Sequence, residues 1–189
     1  MQLKNRYILG THIMFFEIDM VVEHIQSIIN AVELVENKEM VTIELFFNIS
    51  EYFEKIDTSQ TTKEELIDKF KTMTKPLEDT GVDLNVVIYD DNKPYAQIDY
   101  RRDLNYKSCK HYDYIIWGES DCLHPRQMFH VLEEIKNYAN QNNIHRFVTT
   151  FAVRKMWDES WKPIEHTDFT DKPFIEGDTE NWWSLRYNM

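Results

Sequence analysis

Four short apolar runs, at residues 13–18, 41–49, 84–89 and 112–117, are separated by longer stretches that carry helix signals. Runs of this length, rich in β-branched and aromatic residues, suit strands buried on both faces. The stretches between them are long enough for crossover connections, so the strands are expected in one sheet. The chain therefore reads as an α/β protein with a Rossmann-like, mainly parallel sheet flanked by helices. Residues 146–153 read as one further strand.

The helix signals are particular. Val21, Ile25, Ile28, Val32 and Val35 recur in steps of four and three, the stripe of a helix packed on a sheet, and Asp19 stands where an N-cap belongs. Thr61-x-x-Glu64 and Thr62-x-x-Glu65 both have the form of a capping box, predicting a helix through about Met73 that Pro76 and Gly81 end. A short helix is expected at 101–109. Pro125 opens another, with Met128, Val131, Leu132, Ile135 and Tyr138 as its buried face. Beyond Val153 the alternation stops. Trp157, Trp161, Trp182 and Trp183 are scattered among Asp, Glu, Pro and Thr, so 154–189 is expected to be an irregular segment covering an edge or a pocket of one domain, 1–189.

Composition narrows the function classes. The net charge of -12 is spread along the chain and no Lys/Arg run is present, which argues against nucleic acid as a partner. An acidic protein can still hold a small anionic ligand through a divalent cation. The 2 cysteines, Cys109 and Cys122, are too few for a disulfide framework and lack zinc-site spacing. No apolar run approaches the ~20 residues of a membrane span, and residues 1–10 lack the apolar core of a secretory signal. A cytoplasmic location without a membrane span is the resulting expectation. The 4 glycines, Gly10, Gly81, Gly118 and Gly177, lie too far apart for a G-x-G-x-x-G turn or a phosphate loop. H-E-x-x-H and G-x-S-x-G are absent as well.

One constellation can carry chemistry. Glu119-Ser120-Asp121 follows the apolar run 112–117, at the end of a strand where ligands bind in open α/β sheets. Residues two apart on extended backbone share a side, so both carboxylates could approach one hard cation. The competing reading is a loop acid that caps the helix after Pro125, with a solvated neighbour.

The stretch 112–125, Tyr-Asp-Tyr-Ile-Ile-Trp-Gly-Glu-Ser-Asp-Cys-Leu-His-Pro, resembles the D-x-D strand and following proline of GT-A fold glycosyltransferases, especially the large inverting family. Residues 13–29 are similar to that family's opening strand and helix, and 101–105 to its arginine-containing helix. Residues 180–186 are similar to its Glu-Asp segment followed by an arginine. The resemblance implies a GT-A-like fold and transfer of a sugar from a nucleotide-diphosphate sugar donor to an unknown acceptor. It implies Mn²⁺ or Mg²⁺ held by Glu119 and Asp121, with His166 as a further ligand and Ser120 in the same cofactor-binding strand end. Asp90 and Asp91 would contact the base or ribose, and Arg101 and Arg102 the phosphates. The family's catalytic base is replaced by Asn181, which cannot accept a proton at neutral pH. Glu180, then Asp178, are the substitutes, unless transfer activity has been lost. Two alternatives stand beside this reading: a non-catalytic nucleotide-sugar-binding module of the same fold, and a sugar-phosphate nucleotidyltransferase.

Overall fold

The computed structural model describes residues 1–149. Four strands, β1 (Tyr7–Met14), β2 (Val41–Asn48), β3 (Asp83–Tyr89) and β4 (Tyr114–Glu119), alternate with helices α1 (Val21–Val32), α2 (Lys63–Glu78), α3 (Gln97–Ser108) and α4 (Met128–Gln141). All pairings are parallel and the order is β3-β2-β1-β4, an α/β Rossmann-like sheet. The period of two divides it cleanly. Leu9 and Ile13 of β1 and Ile43, Leu45 and Phe47 of β2 share one core with Ile25, Ile28, Phe70, Leu77 and Leu132 of α1, α2 and α4. Ile8 and Phe46 face the other way and pack on Tyr100 and Leu104 of α3. The chain leaves β1 toward β2 over one face and reaches β4 from the opposite face, which makes the β1/β4 boundary a topological switch point. Among the described residues, no helix is long and apolar enough to cross a membrane.

The α1 stripe is buried at every expected position. The helix starts at Val21 without a side-chain cap, however, and Asp19 lies in a 3-10 turn, Phe15–Met20, with its carboxylate 2.8 Å from Lys69 Nζ. Thr62 supplies the α2 capping box: its hydroxyl accepts from Glu65 N, and Glu65 accepts from Thr62 N at 2.8 Å. α2 runs through Pro76 to Glu78, because a proline in the last turn removes one ladder bond while Leu77 beyond it is fully buried. Gly81, at φ 83°, reverses the chain. α3 begins at Gln97, earlier than expected, since Asp99 caps its first turn through Ala96 N at 3.0 Å. On α4 the buried face is Met128, Phe129, Leu132, Glu133 and Ala139, whereas Val131 and Tyr138 are exposed. Residues 145–149 form no strand, and the rest of the expected 146–153 strand lies outside the described residues.

Gly10 lets α3 lie against β1. A Cβ there would collide with the Tyr100 hydroxyl and a Leu104 methyl, and both side chains are buried. Gly10→Ala is therefore expected to lower unfolding stability by about 1–3 kcal/mol, the usual cost of overpacking a filled core. Urea denaturation measures it, and an unchanged midpoint would show that α3 yields freely.

Candidate functional site

The switch point is furnished from three directions. β4 ends at Glu119, two residues later than its apolar run, and Cys122 N closes a turn on Glu119 O at 3.0 Å. Glu119 is thus a strand residue, while Ser120 and Asp121 lie in the turn that follows. α1 anchors the far side of this turn. His24, fully buried, places Nδ1 2.8 Å from Cys122 O, so Nδ1 carries the proton and neutral Nε2 accepts from Thr11 Oγ1 at 3.1 Å. Ser27 Oγ accepts from His124 N at 3.0 Å. From the opposite face α3 sends Gln97 and Arg101, one turn apart, to the same oxygen of Glu119, Arg101 as an ion pair and Gln97 at 3.3 Å.

The carboxylates and the thiol converge. Ligand atoms of Glu119, Asp121 and Cys122 all lie within 4.8 Å of one another, a grouping able to hold a metal ion. Burial raises the Cys122 thiol, and the Asp121 and Glu119 charges raise it further, so it is protonated. Its Sγ reaches Asp121 Oδ1 at 3.5 Å and Glu119 Oε2 at 3.9 Å, as a weak donor between two acceptors.

Glu119, Ser120 and Asp121 line an open cleft of about 430 Å³, together with His12, Glu17 and Gln97 and the exposed rings of Phe16 and Phe53. That volume suits a small ligand. Glu17 is raised above the ordinary carboxylate range by burial, against lowering hydrogen bonds from Met14 N and the Ser120 side chain. Repulsion from Asp121 and Glu119 adds to the rise. His12, in register with Glu119 and stacked on Phe46, is pushed down to about 4 by burial and then by the Arg101 charge.

Of the residues singled out from sequence, Glu119, Ser120, Asp121 and Arg101 meet here. Arg102 does not: it pairs with Asp99 at 3.1 Å and Asp103 at 3.4 Å on the outer side of α3. Asp90 and Asp91 follow β3, three strand spacings or roughly 14 Å from β4, and Asp90 is held by Lys63 at 2.6 Å. His166, Asp178, Glu180 and Asn181 lie outside the described residues, as does the segment 154–189. Glu17, His12, Gln97 and Cys122 had no motif to announce them. Glu17 and His12 sit within or beside an apolar run, and that is the one signal the sequence offers for them.

No family model matches the chain. No curated protein matches it either. Among solved structures, N,N'-diacetylchitobiose deacetylase from Pyrococcus horikoshii, in complex with its inhibitor MPG, is similar over 72% of this chain at 15% identity and a TM-score of 0.37. This chain spans 50% of that one. Neither a family model nor a curated protein supports a glycosyltransferase. The assignment to inverting GT-A glycosyltransferases is corrected accordingly. The nucleotide-diphosphate sugar donor, the transfer reaction, the nucleotide-sugar-binding module and the nucleotidyltransferase are withdrawn with it. The structure shows why the motif misled. An acid-x-acid triplet at the carboxyl end of a parallel strand belongs to α/β ligand sites in general. Asn48, the last residue of β2, is fully buried and occupied locally, donating to Tyr95 O at 3.0 Å and accepting from Ser50 N at 3.0 Å.

Proposed function

We propose that this chain is a divalent-cation-dependent hydrolase acting on a small oxygen-bearing substrate, with Glu119 and Asp121 holding Mn²⁺ or Mg²⁺. The observation that carries the reading is the convergence of these carboxylates, within 4.8 Å, at the switch point of the sheet. The donor set fits a hard ion through its two carboxylates, which face an open cleft with the Cys122 thiol beside them. Such an ion would supply charge to hold and polarise a substrate oxygen. Glu17, half-buried in the same cleft with its carboxyl raised by desolvation, is placed to take up and return a proton. His12 stays uncharged and adds no repulsion toward a cation. Phe16 and Phe53 give the cleft an exposed apolar rim for the non-reacting part of a substrate.

Calorimetric titration of EDTA-treated protein with Mn²⁺ tests the site. Glu119→Gln and Asp121→Asn are each expected to weaken binding by about tenfold or more, since each removes a charged oxygen ligand. A panel of chromogenic acyl esters and amides should be hydrolysed with Mn²⁺ and not with EDTA. Wild-type Mn²⁺ affinity in both variants would remove the site, and EDTA-insensitive hydrolysis would remove the role of the ion.

A further inference from the structure

We infer that Arg101 is a latch on the cation site: its guanidinium occupies the Glu119 carboxylate in the cation-free chain and yields it when a divalent cation binds. The inference rests on the cation site proposed above. Arg101 Nη2 pairs with Glu119 Oε1, an oxygen of the group that converges with Asp121 and Cys122. Cys122 Sγ reaches the other oxygen, Oε2, so a divalent cation in the cluster would stand within a few ångströms of the guanidinium on the same carboxylate, and the like charges would repel.

The pair is built to be released. Arg101 is 26% and Glu119 43% exposed, and ion pairs this open to solvent add little to stability. Buried Glu44 makes a useful contrast: it is 5% exposed, takes Lys107 Nζ on both carboxylate oxygens at 2.5 and 2.7 Å, and also accepts from the Tyr100 hydroxyl. Arg101 has no such closed socket, and its buried Nε has no partner. It has a second contact, made at the same time as the ion pair. Its guanidinium lies over the Trp117 ring, 5.6 Å from the centroid, and Trp117 is itself fixed by Nε1 donating to Asn105 Oδ1 at 3.1 Å. Gln97, Arg101 and Asn105 form one stripe of α3 facing Trp117 and Glu119 of β4, so a guanidinium displaced from the carboxylate keeps its place over the ring without movement of the helix.

The test uses the full chain and the metals alone. Arg101→Gln removes the competing charge, and Mn²⁺ affinity measured by calorimetry should rise about tenfold. Arg101→Lys, which keeps the charge, should stay nearer wild type. In a Trp117→Phe subtraction, Mg²⁺ should change Trp117 emission in the wild type, as the guanidinium shifts over the ring, and leave it unchanged in Arg101→Gln. Equal Mn²⁺ affinity in wild type and Arg101→Gln, with binding still lost in Glu119→Gln, would overturn the latch and leave the site standing. Absence of Mn²⁺ binding in both wild type and Arg101→Gln would overturn the site and the latch together.

Discussion

Glu133→Ala is expected to cost about 3–5 kcal/mol of unfolding stability, because it strips the acceptor from several donors at about 1–3 kcal/mol for each one left buried. Glu133 is 5% exposed on α4 and organises the chain's entry into β1. Its Oε1 accepts from Lys4 N at 3.0 Å, Asn5 N at 3.1 Å and the Tyr7 hydroxyl at 2.9 Å, and its Oε2 accepts from Asn5 Nδ2 at 3.0 Å. Truncation would leave two backbone donors and a fully buried phenol without an acceptor. Tyr7 cannot shift its charge to compensate, since burial and the Glu133 hydrogen bond raise its hydroxyl far above the ordinary range. Glu133→Gln keeps the shape and one acceptor oxygen, and Asn5 can turn its amide to meet the new NH₂, so a smaller loss is expected. Against a total of about 5–15 kcal/mol, the alanine variant would be marginally folded at best. Urea unfolding of both variants decides the matter, and a loss below about 1 kcal/mol for alanine would show that solvent reaches these donors.

The same residue shows where sequence reasoning stops. Met128 and Leu132 mark the inner face of α4 correctly, but Val131 and Tyr138 belong outside, and a glutamate takes an inner position because its partners lie 126 to 129 residues earlier. A periodicity rule places apolar residues inside and has no means of anticipating a buried acid satisfied across the fold. β1 tells the same story. The run 13–18 overlaps the strand only at Ile13 and Met14, the remainder lying in the 3-10 turn, and β1 instead begins at Tyr7, because Gly10, Thr11 and His12 are buried by distant partners: Tyr100 and Leu104 over the glycine, His24 on Thr11, Phe46 under the His12 ring. The α1 stripe and the Thr62 capping box were legible in full, because both depend on neighbours within four residues.

The proximity of Glu119 and Asp121 was readable because the two acids are two residues apart at the end of a strand. Asp90 and Asp91 had the same local signature and lie elsewhere, since nothing local reveals that β3 is at the far edge of the order β3-β2-β1-β4. Glu17, Gln97 and His12 come together at that crevice only through the topology. The resemblance to glycosyltransferases rested on short segments whose common property is the α/β layer itself, so it carried the fold further than the chemistry.

Lowering the pH from 7 to 5 is expected to destabilise the chain by several kcal/mol before most carboxylates titrate, and buried histidines are the cause. His12, 5% exposed, is pushed from 6.5 to about 4 by burial and by Arg101. His124 is pushed to about 3 by burial and by His24, whose ring centroid lies 5.2 Å away, and its Nε2 is shut off from solvent without a partner. His24 is lowered as well, by burial, although the Cys122 carbonyl and the Asp121 charge act in the opposite sense. Each folded-state value lies below the unfolded one, so between them the unfolded chain binds more protons. Stability is then fully present above pH 6.5 and falls as pH drops toward 4 and 3. One pKa unit is worth about 1.4 kcal/mol, which gives a loss of about 2 kcal/mol from His12 alone by pH 5. The His24–His124 pair adds to it as one coupled unit, because protonating either ring makes the other harder to charge. Urea midpoints for the wild type, His12→Gln and His124→Gln at pH 7 and 5 give the comparison. Both variants should flatten the profile, with the slope m unchanged, and a wild type equally stable at the two pH values would show that these rings accept protons in place.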